Sequence, residues 1–166
     1  MFDFASEQLS AKQQYNILIG TVIPRPIAWI STTTQEGTVN LAPFSFYNIV
    51  AYDPAILSVS IQRNSDGSMK DTARNILTGK EAVVHSVSED NLNLANQTAI
   101  ALPPEVSEVD ESCMTLVPSK TISVPGVLQA KTRFETSFYQ HIEIKGHDGQ
   151  TTADLLSHVV KSSATS

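Results

Sequence analysis

The chain has 166 residues, of which 41% are hydrophobic and 17% are charged, and its formal net charge at pH 7 is −6. This length predicts one domain, and the composition is that of a packed globular protein rather than a disordered chain. The negative charge argues against a nucleic-acid partner, because nucleic-acid binding needs clustered Lys and Arg, but one small anionic ligand needs only a local positive pocket.

Cysteine content and targeting signals bear on the location of the protein. Cys113 is the only cysteine, which excludes an intrachain disulfide and a multi-cysteine metal site and favours a reducing, cytoplasmic location. The N-terminal residues carry acids and no basic region before an apolar run, unlike a signal peptide. No apolar run approaches the ~20 residues of a membrane helix. We therefore expect a cytoplasmic protein with no membrane partner.

The first part of the chain predicts one helix and several strands. Ser10 and Gln13 fit a capping box that starts a helix. The prolines on both sides of Arg25 forbid helix there and mark the entry to a sheet. Apolar residues alternate with serine in the second half of 55–61, which predicts a strand with one apolar and one polar face. In chain order, these elements are a helix over 11–19 and strands over 27–34, 38–41, 47–51 and 55–61.

The second part predicts two more helices, a long insertion and further strands. Ser68 and Asp71 fit another capping box, and Ser88, followed by two acids, marks a third helix start. Prolines and acids make 102–119 a loop-like insertion longer than most connections. Residues 161–166 are small and polar and are predicted to be disordered. In chain order, these elements are a helix over 69–78, a strand over 82–87, a helix over 88–101 and strands over 126–134 and 137–144.

The pattern of elements predicts a mainly β fold. Short strands, interleaved with too few helices for a regular βαβ pattern, favour a β-barrel with peripheral helices. No GxGxxG or P-loop pattern occurs among the glycines, which argues against a Rossmann or P-loop site. The histidines lack metal-ligand spacing, so no metal site is predicted. No GxSxG occurs, and the acids around Cys113 discourage a thiolate, so a nucleophilic hydrolase is not favoured.

The clearest candidate ligand site lies in residues 58–75, where hydroxyls and cations surround a predicted helix start. A helix N-terminus offers unpaired N–H groups, to which Arg63 and Lys70 would add positive charge for a phosphate. Asp71 leaves an alternative open, because its carboxylate could cap the same N–H groups in an ordinary helix. The candidate phosphate residues are Ser58, Ser60, Arg63, Lys70, Asp71 and Thr72.

A second candidate region combines Arg25 with residues 31–45. The flanking prolines restrict the backbone of Arg25 before folding, which suits a side chain that must project in one direction. The alternative is an ordinary edge strand with a surface arginine. The nearby aromatic residues are typical of a core or an interface, or could form a wall for a flat aromatic ligand. These aromatic residues are Trp29, Phe44, Phe46 and Tyr47.

Two strings in the chain carry a family resemblance. The first, over 22–48, reads VIPRPIAWISTTTQEGTVNLAPFSFYN. The second begins with Lys70-Asp71-Thr72, continues with Arg74-Asn75-Ile76 and leads into the strand over 81–87. In this order, with an apolar strand ending in Ser58 and Ser60 between them, the strings resemble the flavin reductase-like, FMN-binding split-barrel family.

The resemblance implies a fold and a cofactor site. It implies a single six-stranded Greek-key split β-barrel over 1–166, with a few peripheral helices, that forms a homodimer and holds FMN non-covalently near the subunit interface. The first string would contact the flavin ring and ribityl chain, largely through backbone groups, and 58–72 would bind the phosphate. The implied cofactor-binding residues are Arg25, Ser31, Thr32, Asn40, Leu41, Ala42, Ser45, Ser58, Ser60, Arg63, Lys70, Asp71 and Thr72.

The resemblance also implies an activity. Members of the family pass electrons from reduced nicotinamide to flavin, so an NADH- or NADPH-dependent flavin reductase-like oxidoreductase is expected, with catalytic residues unassigned. The alternatives are a non-catalytic flavin-binding carrier or sensor and a degenerate paralogue without cofactor. After residue 150 the family would continue through a further strand and a closing segment, and we predict neither of them in this chain. The barrel is therefore expected to close differently, or with the partner subunit.

Overall fold

The structure is a computed structural model that describes residues 5–100, 102–103, 106–112 and 114–165. Within these residues the helices are α1 (Ala11–Thr21), α2 (Asp71–Gly79), α3 (Leu92–Gln97) and α4 (Glu108–Glu111), preceded by a 3₁₀ turn over Ser6–Gln8. The strands are β1 (Ala28–Thr33), β2 (Val39–Phe44), β3 (Tyr47–Tyr52), β4 (Ala55–Gln62), β5 (Glu81–Ser86), β6 (Leu116–Val117), β7 (Gly126–Val127), β8 (Thr132–Lys145) and β9 (Thr151–Thr165). Cys113, for which we predicted no catalytic role, lies outside the described residues.

One antiparallel sheet dominates the fold and curls into a barrel. In the described residues its seven strands are hydrogen-bonded in the order β2-β1-β5-β8-β9-β4-β3. β2 and β3 are thus at opposite edges, yet β2 ends at Phe44 and β3 begins at Tyr47. Three residue steps span at most about 11 Å, so the two edges must meet at this corner. The predicted mainly β barrel is confirmed, with seven strands in the main sheet instead of six.

β9 covers Thr151–Thr165, a part of the chain in which the sequence predicted no strand. It pairs with β8 on one side and with β4 on the other, so it is an interior strand. The prediction that 161–166 is disordered is wrong as far as Thr165, because Glu135 pairs with Ser162 and Thr132 pairs with Thr165. Ladder hydrogen bonds join main-chain groups, so the small polar side chains of this segment do not prevent pairing.

β8 is one continuous strand where we predicted two, over 126–134 and 137–144. It pairs with β9 along its length and with β5 over residues 133–137. The predicted gap coincides with an irregularity in register between Glu135 and Thr136. Such a bulge bends a strand without ending it, which suits a strand that follows the curve of a barrel. The residues just before β8 form the short β6–β7 ribbon instead.

The capping boxes predict the start of one helix correctly and the start of another incorrectly. At α1 the Ser10 N–H donates to the Gln13 side chain (2.9 Å), and the Gln13 N–H donates to the Ser10 hydroxyl (3.3 Å). At α2 the N-cap is Lys70 and not Ser68. The N–H and the hydroxyl of Ser68 donate instead to Asp66 (2.9 and 2.6 Å). A local turn therefore replaces the predicted cap.

The later helices are shorter than predicted. Residues 88–91 form a turn in which the Ser88 N–H donates to the Asn91 side chain (2.8 Å), so α3 begins only after Asn91. The insertion over 102–119 contains α4 and β6. Among the described residues, no helix combines the length and the apolar character needed to cross a membrane.

Two apolar clusters stabilise the barrel from its two sides. The cluster inside the barrel contains Ala28, Ile30, Leu57, Val59, Ile61, Ala73, Ile76, Ala82, Val84 and Leu156. The second contains Trp29, Leu41, Ala95, Val109, Met114, Val127 and Ala130. Trp29 and Ile30 are successive residues of β1 and point to opposite faces, so β1 separates the clusters. The predicted apolar face of β4 lies in the first cluster, as expected.

Candidate functional site

A cavity of about 360 Å³, which we call the α2 cavity, opens at the N-terminal end of α2. Among the predicted cofactor-binding residues, it gathers Asn40, Ala42, Lys70, Asp71 and Thr72. Its other lining residues are Pro43, Phe44, Asn64, Thr98, Ala99, Ile100, Leu102 and Glu108. The cavity therefore has an apolar wall from β2 and the segment after α3, and a polar wall at the start of α2.

The N-terminus of α2 presents main-chain donors at this cavity. In the described residues no side chain caps the helix, and the Arg74 N–H donates to the Lys70 carbonyl (3.1 Å), so the amides before Arg74 have no acceptor within the helix. The Asp71 carboxylate, which could have capped them, contacts the Arg74 guanidinium instead (2.5 Å). Lys70 is exposed at the rim. Helix dipole, N–H groups and ammonium together favour an anion here.

The Asn40 amide is held between two neighbours in the cavity wall. Its Nδ2 donates to both carboxylate oxygens of Glu108 (3.1 and 3.1 Å). Its Oδ1 accepts a hydrogen bond from the Thr72 hydroxyl (2.9 Å). The Leu41 N–H donates to the same Glu108 carboxylate (3.0 Å). The side chains of Asn40 and Thr72 therefore bond to other protein groups, and their predicted contacts with a cofactor stay predictions.

Glu108 is a residue of the cavity that the sequence did not single out. It is 7% exposed, although it lies in the insertion to which we assigned no structure. Its partner Asn40 is 68 residues away along the chain, so no local pattern links them. The one usable signal is Ser107, whose hydroxyl caps α4 by accepting from the Val109 N–H (3.3 Å).

Several predicted ring contacts are buried under the site. Ser31, Thr32 and Leu41 are 0% exposed, so their side chains do not reach the α2 cavity. The Ser31 hydroxyl donates to the Pro125 carbonyl (2.6 Å), and the Thr32 hydroxyl accepts from the Asn75 amide (3.1 Å). These bonds tie β1 to the β6–β7 ribbon and to α2, which gives both hydroxyls a packing role.

A second cleft of about 310 Å³, the α1 cleft, lies between α1 and β3. Of the predicted residues, Arg25, Ser45 and Ser58 line this cleft and not the α2 cavity. Its other lining residues are Leu18, Val22, Phe46, Tyr47 and Asn48. The Arg25 guanidinium donates to the carbonyls of Ile19 (2.6 Å) and Val22 (2.5 Å). Arg25 thus satisfies the C-terminal carbonyls of α1, where a cation is favoured.

The elements beside the α1 cleft, α1 with the residues after it and β3, carry many exposed apolar side chains. None of the described residues of α1 is buried. Burial does raise the pKa of the Tyr47 phenol, because its ring packs against the barrel core. Tyr52, at the end of β3, is 94% exposed. What we call the α1–β3 surface comprises Tyr15, Ile17, Leu18, Val22, Ile23, Ile49, Val50 and Tyr52.

Arg63 and Ser60 do not line the α2 cavity. The Arg63 guanidinium contacts the Asp154 carboxylate through Nε (2.7 Å) and Nη2 (2.8 Å), and His141 Nε2 lies 2.9 Å from the same carboxylate. Hydrogen bonding to Asp154 raises the pKa of Arg63 above its ordinary value. The Ser60 hydroxyl accepts from the Gln62 amide (3.4 Å). The sequence could not show the engagement of Arg63, because Asp154 belongs to the unpredicted strand β9.

A larger cavity, of about 460 Å³, lies against the β1–β2 hairpin, and only Asp71 belongs to both this cavity and the α2 cavity. Its lining residues are Thr33, Thr34, Gln35, Glu36, Thr38, Asp71, Arg74, Asn75, Thr78 and Gly79. The α2 cavity is the better candidate site, because it combines the uncapped N-terminus of α2 with five of the residues predicted to bind the cofactor. Of those predicted residues, the larger cavity contains only Asp71.

A neutral histidine supports the apolar cluster behind the site. Burial lowers the pKa of His85 to about 4. Its Nδ1 lies 2.7 Å from the Trp29 carbonyl, and its Nε2 accepts from the Val127 N–H (3.0 Å). The proton therefore sits on Nδ1, and both ring nitrogens bind the backbone. This agrees with the predicted structural role.

Comparison with known proteins points to one family. Residues 19–153 match the family model described as flavin reductase like domain. A protein of Bacillus subtilis (strain 168), described as uncharacterized protein YwrF, is 48% identical over 156 residues, covering 94% of this chain and 76% of its own length.

Solved structures give the same result. Nitrilotriacetate monooxygenase component B from Bacillus cereus superposes with a TM-score of 0.96 and 38% identity, covering 100% of this chain and 82% of that chain. A protein with a split barrel domain from Shewanella frigidimarina NCIMB 400 has a TM-score of 0.83 at 14% identity, covering 100% and 81%, and shows the fold. The chain therefore belongs to the flavin reductase-like family of split-barrel, flavin-related oxidoreductases.

Proposed function

We propose that this protein binds FMN non-covalently in the α2 cavity and passes electrons from a reduced nicotinamide to the flavin. The observation that carries this proposal is the uncapped N-terminus of α2, which faces a cavity with an apolar wall. The flavin would supply the hydride chemistry, and the chain would supply binding, orientation and electrostatics. This division agrees with the absence of an acid–base pair among the residues predicted from the sequence.

The polar end of the α2 cavity fits a phosphate. The first amides of α2 need an acceptor, and a phosphate at a helix N-terminus provides one while meeting the positive end of the helix dipole. Lys70 would add a full positive charge from the rim. Asp71 does not compete for the amides, because its carboxylate contacts Arg74. The donor set therefore suits a phosphate monoester, which favours FMN over riboflavin.

The apolar end of the α2 cavity fits a flat ring. Ala42, Pro43 and Phe44 form one side, and Ile100 and Leu102 lie on the segment after α3. Such a wall excludes water from a bound ring and holds it by apolar contact. Backbone groups of β2 would orient the ring, as the family resemblance implies.

We further propose that the protein is a homodimer with the cofactor near the subunit interface. The α1–β3 surface exposes eight large apolar side chains, and exposed apolar patches often mark interaction sites, so a second copy of the chain would cover it. Arg25, Ser45 and Ser58 line the cleft within this surface. In such a dimer these three residues, which we predicted to bind the cofactor, would lie at the subunit interface. The single cysteine favours the reducing cytoplasm as the location.

The direct test is to purify the protein and measure its absorption between roughly 300 and 500 nm, where a bound flavin absorbs. We expect a flavin spectrum, or a thermal shift when FMN is added, with tighter binding of FMN than of riboflavin. Titration with FAD tests the preference between the two flavin nucleotides. A colourless protein that shows no thermal shift with any flavin would contradict the proposal.

Stopped-flow reduction separates an enzyme from a carrier. An oxidoreductase should reduce its flavin with a rate that saturates in NADH or NADPH, and the two donors compared side by side give the preference. A flavin-binding carrier or sensor would bind FMN without saturable reduction. A degenerate paralogue would bind no flavin at all.

A further inference from the structure

Glu108 is a buried acid whose hydrogen-bond donors come mainly from β2. Its carboxylate accepts from the Asn40 amide and from the Leu41 N–H, and it lines the α2 cavity. A buried carboxylate is costly unless several donors satisfy it. Glu108 therefore clamps α4 onto the strand that forms the apolar wall of the cavity.

The Glu108 carboxylate also fixes the orientation of the Asn40 side-chain amide. A carboxylate only accepts hydrogen bonds, so the NH₂ group of Asn40 must face Glu108 and the amide oxygen must face Thr72. That oxygen takes the hydroxyl proton of Thr72 (2.9 Å). Thr72 is a residue of the first turn of α2. A chain of hydrogen bonds therefore runs from α4 through β2 to the start of α2.

We propose that Glu108 is a positioning residue for the anion-binding end of the α2 cavity, an inference that rests on the proposed function for the identity of the ligand. By holding Asn40, it holds Thr72 and the first turn of α2 in place. The main-chain N–H groups of that turn and Lys70 are then the donors for the phosphate. The Thr72 hydroxyl is not among them, because its only proton is given to Asn40.

The proposal predicts an effect opposite in sign to that of simple electrostatics. Removing a negative charge from the wall of a phosphate site should tighten phosphate binding by Coulomb attraction alone. If Glu108 positions α2, Glu108→Ala should weaken phosphate binding, because Asn40 is released and the start of α2 loses its support. We expect the Kd for FMN to rise about tenfold, and the Kd for riboflavin, which lacks the phosphate, to rise much less.

Glu111→Ala is the matched control, since Glu111 is an exposed acid on the same helix. It removes the same charge without touching Asn40, and it should leave the ratio of FMN to riboflavin affinity as in the wild type. Tighter or unchanged FMN binding by folded Glu108→Ala would overturn the proposal. Equal weakening of both flavins would also overturn it, because that result indicates only a general effect on the fold.

A double variant covers the case in which Glu108→Ala does not fold. Asn40→Asp alone sets two carboxylates against each other and should weaken FMN binding. Adding Glu108→Gln exchanges the two groups, so that an amide again faces a carboxylate, the Leu41 N–H keeps an acceptor, and Thr72 keeps its own. We expect this second change to restore FMN affinity. Failure to restore it, with the double variant folded, would contradict the proposal.

Hydrogen exchange on the flavin-free protein distinguishes this inference from the proposed function. The Arg74 amide, which donates to the Lys70 carbonyl (3.1 Å), and the amides after it in α2 should exchange faster in Glu108→Ala than in the wild type or in Glu111→Ala, whatever the ligand is. If the wild type binds no flavin but exchange at α2 responds to Glu108, the proposed function fails and the positioning role stands. Unchanged exchange at α2 would overturn the positioning role even if FMN binds.

Discussion

The α2 cavity and the α1–β3 surface differ in how far one chain completes them. Around the α2 cavity, the polar side chains of Asn40, Thr72 and Glu108 are buried and satisfy one another. On the α1–β3 surface, large apolar side chains stand exposed, and Tyr52 is 94% exposed. The first region is closed by contacts within the chain, whereas the second leaves large apolar side chains uncovered. Our proposal that the first region recognises the cofactor and the second mediates assembly rests on this difference.

The largest expected effect tests whether the polar groups near the α2 cavity are satisfied within the chain. Arg63→Ala would leave the Asp154 carboxylate, which is 0% exposed, without its arginine. Breaking a buried ion pair in this way typically costs about 3 kcal/mol or more, although His141 would still contact the acid. We expect the free energy of unfolding to fall by that amount in urea denaturation at pH 7.

Lys12→Ala, on the exposed face of α1, is the control for Arg63→Ala and should leave the free energy of unfolding unchanged. The opposite result would contradict the view that the polar groups near the α2 cavity are satisfied within the chain. If Arg63→Ala kept the stability of the wild type and lost FMN affinity, Arg63 would be a phosphate ligand rather than a structural partner of Asp154.

Lys70→Ala tests the open end of the same region. Lys70 is exposed at the cavity rim, so its removal should leave the unfolding midpoint unchanged. A charge-assisted contact to a phosphate contributes roughly 1.5 to 3 kcal/mol, so the Kd for FMN should rise about tenfold to a hundredfold. Isothermal titration with FMN and riboflavin measures this, and riboflavin affinity should not change. Equal FMN affinity in Lys70→Ala and the wild type would place the phosphate elsewhere.

Local sequence patterns predicted those parts of the fold that local interactions determine. The capping box of Ser10 and Gln13 predicted α1 because both partners lie within one turn. The alternation in 55–61 predicted the apolar face of β4 because a strand has a period of two residues. The capping box at Ser68 was wrong for the same local reason, since Asp66, two residues away, binds its N–H and hydroxyl.

Only part of the candidate site could be predicted from the sequence, because its polar contacts join distant parts of the chain. The sequence placed Lys70, Asp71 and Thr72 at the start of a predicted helix, and α2 begins there. The partner of Arg63 is 91 residues away, on β9, a strand that was not predicted from the sequence. The contact between Glu108 and Asn40 likewise depends on where the insertion packs. Such contacts depend on the topology of the sheet, which no local pattern reports.

The smallest expected effect on folding tests the α1–β3 surface. Ile49 lies on β3, an edge strand of the sheet, and is 71% exposed. Ile49→Asp should change the stability of the isolated chain by only about 0.5 kcal/mol, because surface substitutions rarely cost more. In a homodimer the same carboxylate would be buried without a partner, which costs several kcal/mol. Light scattering should therefore show a dimeric wild type and a monomeric variant.

Leu116→Asp is the control for Ile49→Asp. Leu116 is 40% exposed but lies on β6, in the second sheet and outside the α1–β3 surface, so this variant should remain dimeric. If the cofactor lies near the interface, Ile49→Asp should also bind FMN more weakly than Leu116→Asp does. A monomeric wild type, or a dimer that tolerates Ile49→Asp, would mean that a second copy does not cover this surface. The contrast between the two regions would then lie only in their exposure and not in assembly.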